Sequence, residues 1–119
     1  SPFLLTSAAS LADLNAKLPG PAPMDRFRAN IVIDGTKAFA EDGWKRLRIG
    51  AIEMTVVKAC ARCIVINTDQ LTGARGPEPL RTLSTYRRAP GGNQVLFGQY
   101  LAHLSEGELR VGDPVQILD

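Results

Sequence analysis

Most hydrophobic positions of this chain repeat in twos. Between Ala51 and Cys60, Ile52, Met54 and Val56 alternate with Glu53 and Thr55, the period of a strand with one buried face. "RFRANIVI" (Arg26 to Ile33) reads as a strand closed by the turn "DGT", and "SPFLL" at the start also reads as a strand. A short strand is expected around Lys45 to Ile49, with Gly50 turning the chain into the next one. "CIVINT" continues as a strand beyond Cys63. "QVLFGQYLAHL" is apolar and aromatic, a strand in which Gly98 marks a bulge or a close approach. "GELRVGDPVQIL" reads as two short strands about a Gly-Asp-Pro turn.

Two segments have helical character instead. In "SLADLNAKL", Leu11, Leu14 and Leu18 are spaced by three and four, an amphipathic helix with Ser10 as its N-cap. The loop "PGPAPM" (Pro19 to Met24) ends it. "PLRTLSTYRR" (Pro79 to Arg88) opens on a proline, which suits the first turn of a short helix. Polar loops, "DQLTGARGPE" and "APGGN", separate the remaining elements. Short strands joined by Gly/Pro turns outnumber the helices, so the chain is expected to be mainly β, a barrel or sandwich with one or two helices outside. Strands and helices do not alternate regularly, which argues against a doubly wound sheet.

Bulk properties narrow this picture. The 119 residues suit one domain, 1–119, large enough to bury a core without metal or disulfide staples. Hydrophobic residues make up 45% and charged residues 22%, both near the globular average. A net charge of +2 does not point to nucleic acid, and no apolar run is long enough to cross a membrane. The start has no basic n-region, so it does not read as a signal peptide, and it lacks an initiator Met, so the chain reads as a piece of a longer protein. With two cysteines and no secretion signal, a reducing, cytoplasmic (bacterial) setting with free thiols is expected.

Both cysteines lie in "KACARCIVIN", as Cys60 and Cys63. A structural zinc site needs four N/S ligands, and this chain offers one such pair and one histidine, His103. His103, in an apolar strand context, reads better as a partly buried structural residue. A redox dithiol sits where a strand meets a helix N-terminus, whereas β-prone residues follow Cys63. Two readings stay open: a thiolate ligand for a soft metal, favoured by the nearby cations Lys58 and Arg62, or two buried cysteines acting as small hydrophobes.

In "RFRAN", a strand would place Arg26, Arg28 and Asn30 on one face, a cradle for an anion because guanidinium groups fork onto phosphate oxygens. For Arg26 a solvated strand face is preferred. Arg87 and Arg88 in "TYRR" read as surface charges at a helix end. Tyr100 in "FGQY" has a phenol that can donate to a ligand, although a core tyrosine with a satisfied hydroxyl is commoner. Trp44 is expected to pack at a barrel end.

Taken in order, "SPFLL…SLADLN", "RFRANIVIDG…AFAEDGWKRLRIG", "KACARC", "EPLRTLSTYR", "LFGQY" and "VGDPVQIL" resemble the MOSC domain, and most of all the amidoxime-reducing components and their bacterial relatives. The resemblance covers nearly the whole chain. It implies a β-barrel-like MOSC fold, a pterin molybdenum cofactor (Mo-molybdopterin), and reduction of N-hydroxylated small molecules. It further implies that Cys63 is the molybdenum ligand and catalytic residue, and that Ser1, Arg28, Asn30, Ala61 and Tyr100 contact the cofactor. The family usually has Pro where this chain has Ala29, which keeps the Arg28–Asn30 spacing, and Ala61 is often Ser, so only backbone contact is expected there.

The resemblance implies partners as well. An N-terminal β-rich domain of similar size, absent from this chain, would supply further cofactor contacts, so the chain by itself is expected to be inactive. An external electron-transfer protein, ferredoxin-like or cytochrome b5-like, would supply electrons, since no flavin or haem motif is present. The alternative is a non-catalytic carrier of cofactor, or of sulfur as a persulfide on Cys63, like the C-terminal domain of molybdenum cofactor sulfurases.

Overall fold

The computed structural model describes residues 2–119. Ser1 lies outside the described residues. β1 (Phe3–Ser7) runs directly into α1 (Ala8–Lys17). The N-cap is Ser7, whose Oγ accepts from Ser10 N at 3.0 Å, and Ser10 is not the cap as the spacing suggested. Ser10 instead faces inward and donates to the buried Glu41 carboxylate at 2.6 Å.

The expected strand over Arg26–Ile33 forms only at its end, as β2 (Ile31–Ile33). Met24–Phe27 is a 3-10 turn, and Arg28 follows in the left-handed region at φ 58°. Arg26, Arg28 and Asn30 therefore do not share a strand face. Arg26 is half-buried and reaches toward Asp69 at 3.9 Å rather than lying on a solvated strand.

β3 (Arg46–Ile49) and the long β4 (Ile52–Arg62) pair as the alternation predicts, Leu47 opposite Met54 and Ile49 opposite Ile52. "CIVINT" does not continue as a strand. Ile64–Asn67 is a 3-10 turn in which Ile66 N–H bonds the Cys63 carbonyl. Burial of Ile66 beside Leu83 and Phe97 outweighs the strand preference of its β-branched residues. A helical turn thus does follow Cys63, but it is a single turn. α2 (Leu80–Tyr86) follows Pro79 as expected. The C-terminal stretch contributes one strand, β6 (Val115–Ile117), not two.

The six strands form one sheet in the order β2-β1-β5-β4-β3-β6, with β5 covering Val95–His103. The sheet curls until it nearly closes into a barrel. Its two edges point into one core, where Ile31 and Ile33 of β2 and Val115 of β6 meet Leu5, Leu47, Met54 and Leu101. Trp44 is half-buried against this core. A second core lies on the helix side, where Leu14 and Leu83 cover Phe27, Ile66, Val95 and Phe97. β5 runs from one core to the other, and the buried Gln99 between them donates to Asp42 at 3.0 Å.

Two register shifts interrupt the β4–β5 ladder. One leaves Val57 unpaired on β4; the other sets Cys60 against both Phe97 and Gly98. Such bulges re-aim the side chains that follow. The end of β4, with Cys60 and the Cys63 that follows it, lies beside Phe27, the last residue of the 3-10 turn that precedes Arg28.

Candidate functional site

A pocket of about 290 Å³ opens at the end of β4, lined by Leu4, Phe27, Arg28, Cys60, Ala61, Arg62, Cys63, Val65, Ile66 and Tyr100. Four of the expected site residues, Arg28, Ala61, Cys63 and Tyr100, converge here from three separate parts of the chain. Asn30 does not line this pocket. Its Oδ1 accepts from Leu4 N at 2.8 Å and its own N–H donates to Leu4 O at 2.9 Å, so it fastens the loop after Arg28 onto β1.

The two cysteines differ. Cys63 carries an exposed free thiol, whereas the free thiol of Cys60 is buried. Cys60 nonetheless forms part of the pocket wall beside Tyr100. Hydrogen bonding and charge from the Cys60 thiol, with some burial, push the Tyr100 phenol above its ordinary value. Tyr100 is half-buried, with Lys58 Nζ 6.0 Å from its ring centroid.

In the sequence Arg62 reads only as a neighbouring charge; the structure gives it a larger part. Its Nε donates to Phe97 O and its Nη1 to Phe27 O, each at 2.8 Å. Its guanidinium lies 5.6 Å from the Phe27 ring centroid, and that ring stacks on Phe97 at 4.4 Å. Nη2 is buried and meets no acceptor among the described residues. Burial lowers the Arg62 pKa from its ordinary value, opposed by the charges of Cys60, Tyr100 and Cys63. The signal available in the sequence was an arginine held between two cysteines at the end of the longest strand.

Other candidates fall elsewhere. Arg87 is not a plain surface charge: it forks onto Asp42 at 2.7 and 3.1 Å and lies 3.9 Å from the Phe39 ring centroid. Arg88 is exposed, as expected. His103 is exposed at the end of β5, not partly buried, with Nδ1 3.2 Å from Ser105 O. It borders a larger apolar cavity of about 550 Å³ with Phe3, Ile52, Met54 and Leu109, which contains neither a thiol nor a cationic side chain. Among the described residues, no three His, Cys, Asp or Glu side chains cluster so as to hold a metal ion by themselves. A metal at Cys63 would thus need its other ligands from outside these side chains.

The family model of the MOSC domain matches residues 1–116. The chain belongs to the MOSC family. This MOSC chain is 46% identical to mitochondrial amidoxime-reducing component 1 of Homo sapiens, over 99% of its own length and 37% of that relative. It is 44% identical to mitochondrial amidoxime reducing component 2 of Rattus norvegicus, over 97% of the chain and 36% of the relative. It is 38% identical to component 1 of Danio rerio with the same two coverages, 97% and 36%. The MOSC chain thus spans a little over a third of the length of these relatives. No helix among its described residues is long and apolar enough to cross a membrane.

Proposed function

We propose that this MOSC chain is the molybdenum-cofactor-binding part of an oxidoreductase that reduces N-hydroxylated compounds. Family membership and likeness to proteins named as amidoxime-reducing components support the reading. The observation that carries it is an exposed Cys63 thiol on a pocket that also contains Arg28, Arg62 and Tyr100. A soft thiolate suits a transition metal, guanidinium groups suit an anionic pterin phosphate, and a buried Arg62 Nη2 without an acceptor leaves positive charge under the pocket for such an anion. The donor set fits the group.

In this reading the thiolate of Cys63 ligates molybdenum. Arg28, exposed at the pocket edge, forks onto anionic oxygens of the cofactor. Tyr100 stays protonated through the neutral range and donates its phenol hydrogen. Ala61 offers backbone only. Leu4 N–H occupies Asn30 Oδ1, so the amide nitrogen is what Asn30 can offer a ligand. Ser1 keeps its proposed contact on the strength of the family pattern. When bound, the cofactor supplies the two-electron centre at which the substrate N–O bond is reduced. Electrons come from an external ferredoxin-like or cytochrome b5-like protein, and the remainder of a longer protein, including an N-terminal β-rich domain, completes the site. A reducing, cytoplasmic setting is proposed with it.

The test uses the full-length protein with Cys63→Ala and Cys60→Ala. Cys63→Ala is expected to lose its molybdenum and Cys60→Ala to keep most of it. Equal metal content in the two variants would sink the assignment, and so would a persulfide on Cys63 in a protein without reductase activity, which is the carrier outcome.

A further inference from the structure

The side chain that ties this pocket together is one that need not touch its ligand. Arg62 immediately precedes Cys63, and its guanidinium bridges two carbonyls from different parts of the chain, Phe97 O on β5 and Phe27 O at the end of the 3-10 turn. Phe27 is in turn the residue before Arg28. Arg28 has φ 58° and ψ 38°, a left-handed conformation that a non-glycine residue holds only when its surroundings impose it. Two fixed points impose it here. On one side Arg62 grips the Phe27 carbonyl; on the other, Asn30 exchanges two hydrogen bonds with Leu4 of β1.

We propose that Arg62 is a positioning residue that sets the separation of Arg28 and Cys63, and so the grip of the pocket on its anionic ligand. The inference rests on the cofactor reading in taking those two residues to hold the same group. The geometry demands arginine. A planar fork reaches two separated carbonyls at once, whereas the ammonium of a lysine is a compact point charge whose donors all leave one atom. The Phe27–Phe97 stack, with the guanidinium beside the Phe27 ring, keeps the fork in place.

The experiment compares Arg62→Lys and Arg62→Gln with Arg87→Lys, a control that weakens another arginine bridge, to Asp42 and Leu96 O, away from the pocket. In cofactor-free full-length protein, trypsin cleavage after Arg28 reads the loop directly, because the next residue is Ala29 and the bond is cleavable. Both Arg62 variants are expected to be cut after Arg28 about tenfold faster or more, the Arg87 variant at the wild-type rate, since cleavage tracks local opening. In cofactor-loaded protein, the Arg62 variants are expected to release pterin, followed by fluorescence after gel filtration, about tenfold faster. Wild-type cleavage and release in both Arg62 variants would overturn the proposal, as would changes that merely track lost thermal stability as in Arg87→Lys. Full molybdenum in Cys63→Ala would instead sink the cofactor reading while leaving the cleavage result to decide the brace.

Discussion

Gly98 packs against the backbone of Leu5: a Cβ on Gly98 would stand 2.9 Å from the Leu5 carbonyl oxygen. Gly98 also holds φ +92°, where side chains are strained whatever the space. It lies in the second register shift, opposite Cys60, two residues before Tyr100 of the pocket. Gly98→Ala is expected to destabilise the fold by about 2–3 kcal/mol, from backbone strain and the forced separation of β1 and β5. Urea unfolding followed by circular dichroism checks this, and a midpoint equal to wild type would remove the close-approach argument.

Arg87 and Asp42 join the end of α2 to the 3-10 turn at Ala40–Gly43. The same Asp42 accepts from Gln99 of β5, and the guanidinium lies over Phe39. Arg87→Ala is expected to cost about 2 kcal/mol, as for a charge-assisted hydrogen bond to Asp42, a carboxylate that also accepts from the buried Gln99. Arg88→Ala, one residue on and exposed, should stay within about 0.5 kcal/mol of wild type. Chemical denaturation of the pair reads the contrast, and equal effects would contradict it.

Tyr86 donates its hydroxyl to Asp13 Oδ1 at 3.1 Å. Burial first, then the Asp13 carboxylate, push its phenol well above the ordinary value of 10.0. The unfolded chain releases this proton near pH 10 and the folded chain keeps it, so the folded state binds more protons above that pH. The contribution is therefore complete below about pH 10 and is lost as pH rises toward the raised folded value. Thermal melts between pH 9 and 11 are expected to fall more steeply for wild type than for Tyr86→Phe; identical slopes would discount the raised phenol value of Tyr86.

The exposed thiol of Cys63 and the buried one of Cys60 should react at different rates. Iodoacetamide applied to the folded, cofactor-free protein is expected to alkylate Cys63 about tenfold faster or more than Cys60, because access and thiolate character govern the rate. Peptide mass mapping over a time course checks it. Equal labelling would mean that the end of β4 opens freely.

Much of the sheet was legible in residue order. Period-two alternation at Ile52, Met54 and Val56 placed β4, and the glycine in "LFGQY" marked the close approach of β5. The helices at Ala8–Lys17 and Leu80–Tyr86 followed from leucine spacing and an initial proline, although the true cap, Ser7, lay three residues before the expected Ser10. The site was less legible. Arg28, Ala61, Cys63 and Tyr100 were named through family resemblance, and alternation by itself would have set Arg26, Arg28 and Asn30 side by side on a strand.

What the sequence determined by itself is what short-range preferences control: a mainly β chain, its two helices, and the glycine that lets β5 approach β1. Only the tertiary structure decided the turn that carries Arg28, the turn after Cys63, and the place of Arg62 between them. The reason is range. The bonds from Arg62 to Phe27 O and Phe97 O each span 35 residues of chain, and Asn30 and Leu4 are 26 apart. A left-handed arginine and a 3-10 turn built from β-branched residues go against local preference. Only contacts closed by the folded sheet can hold them there.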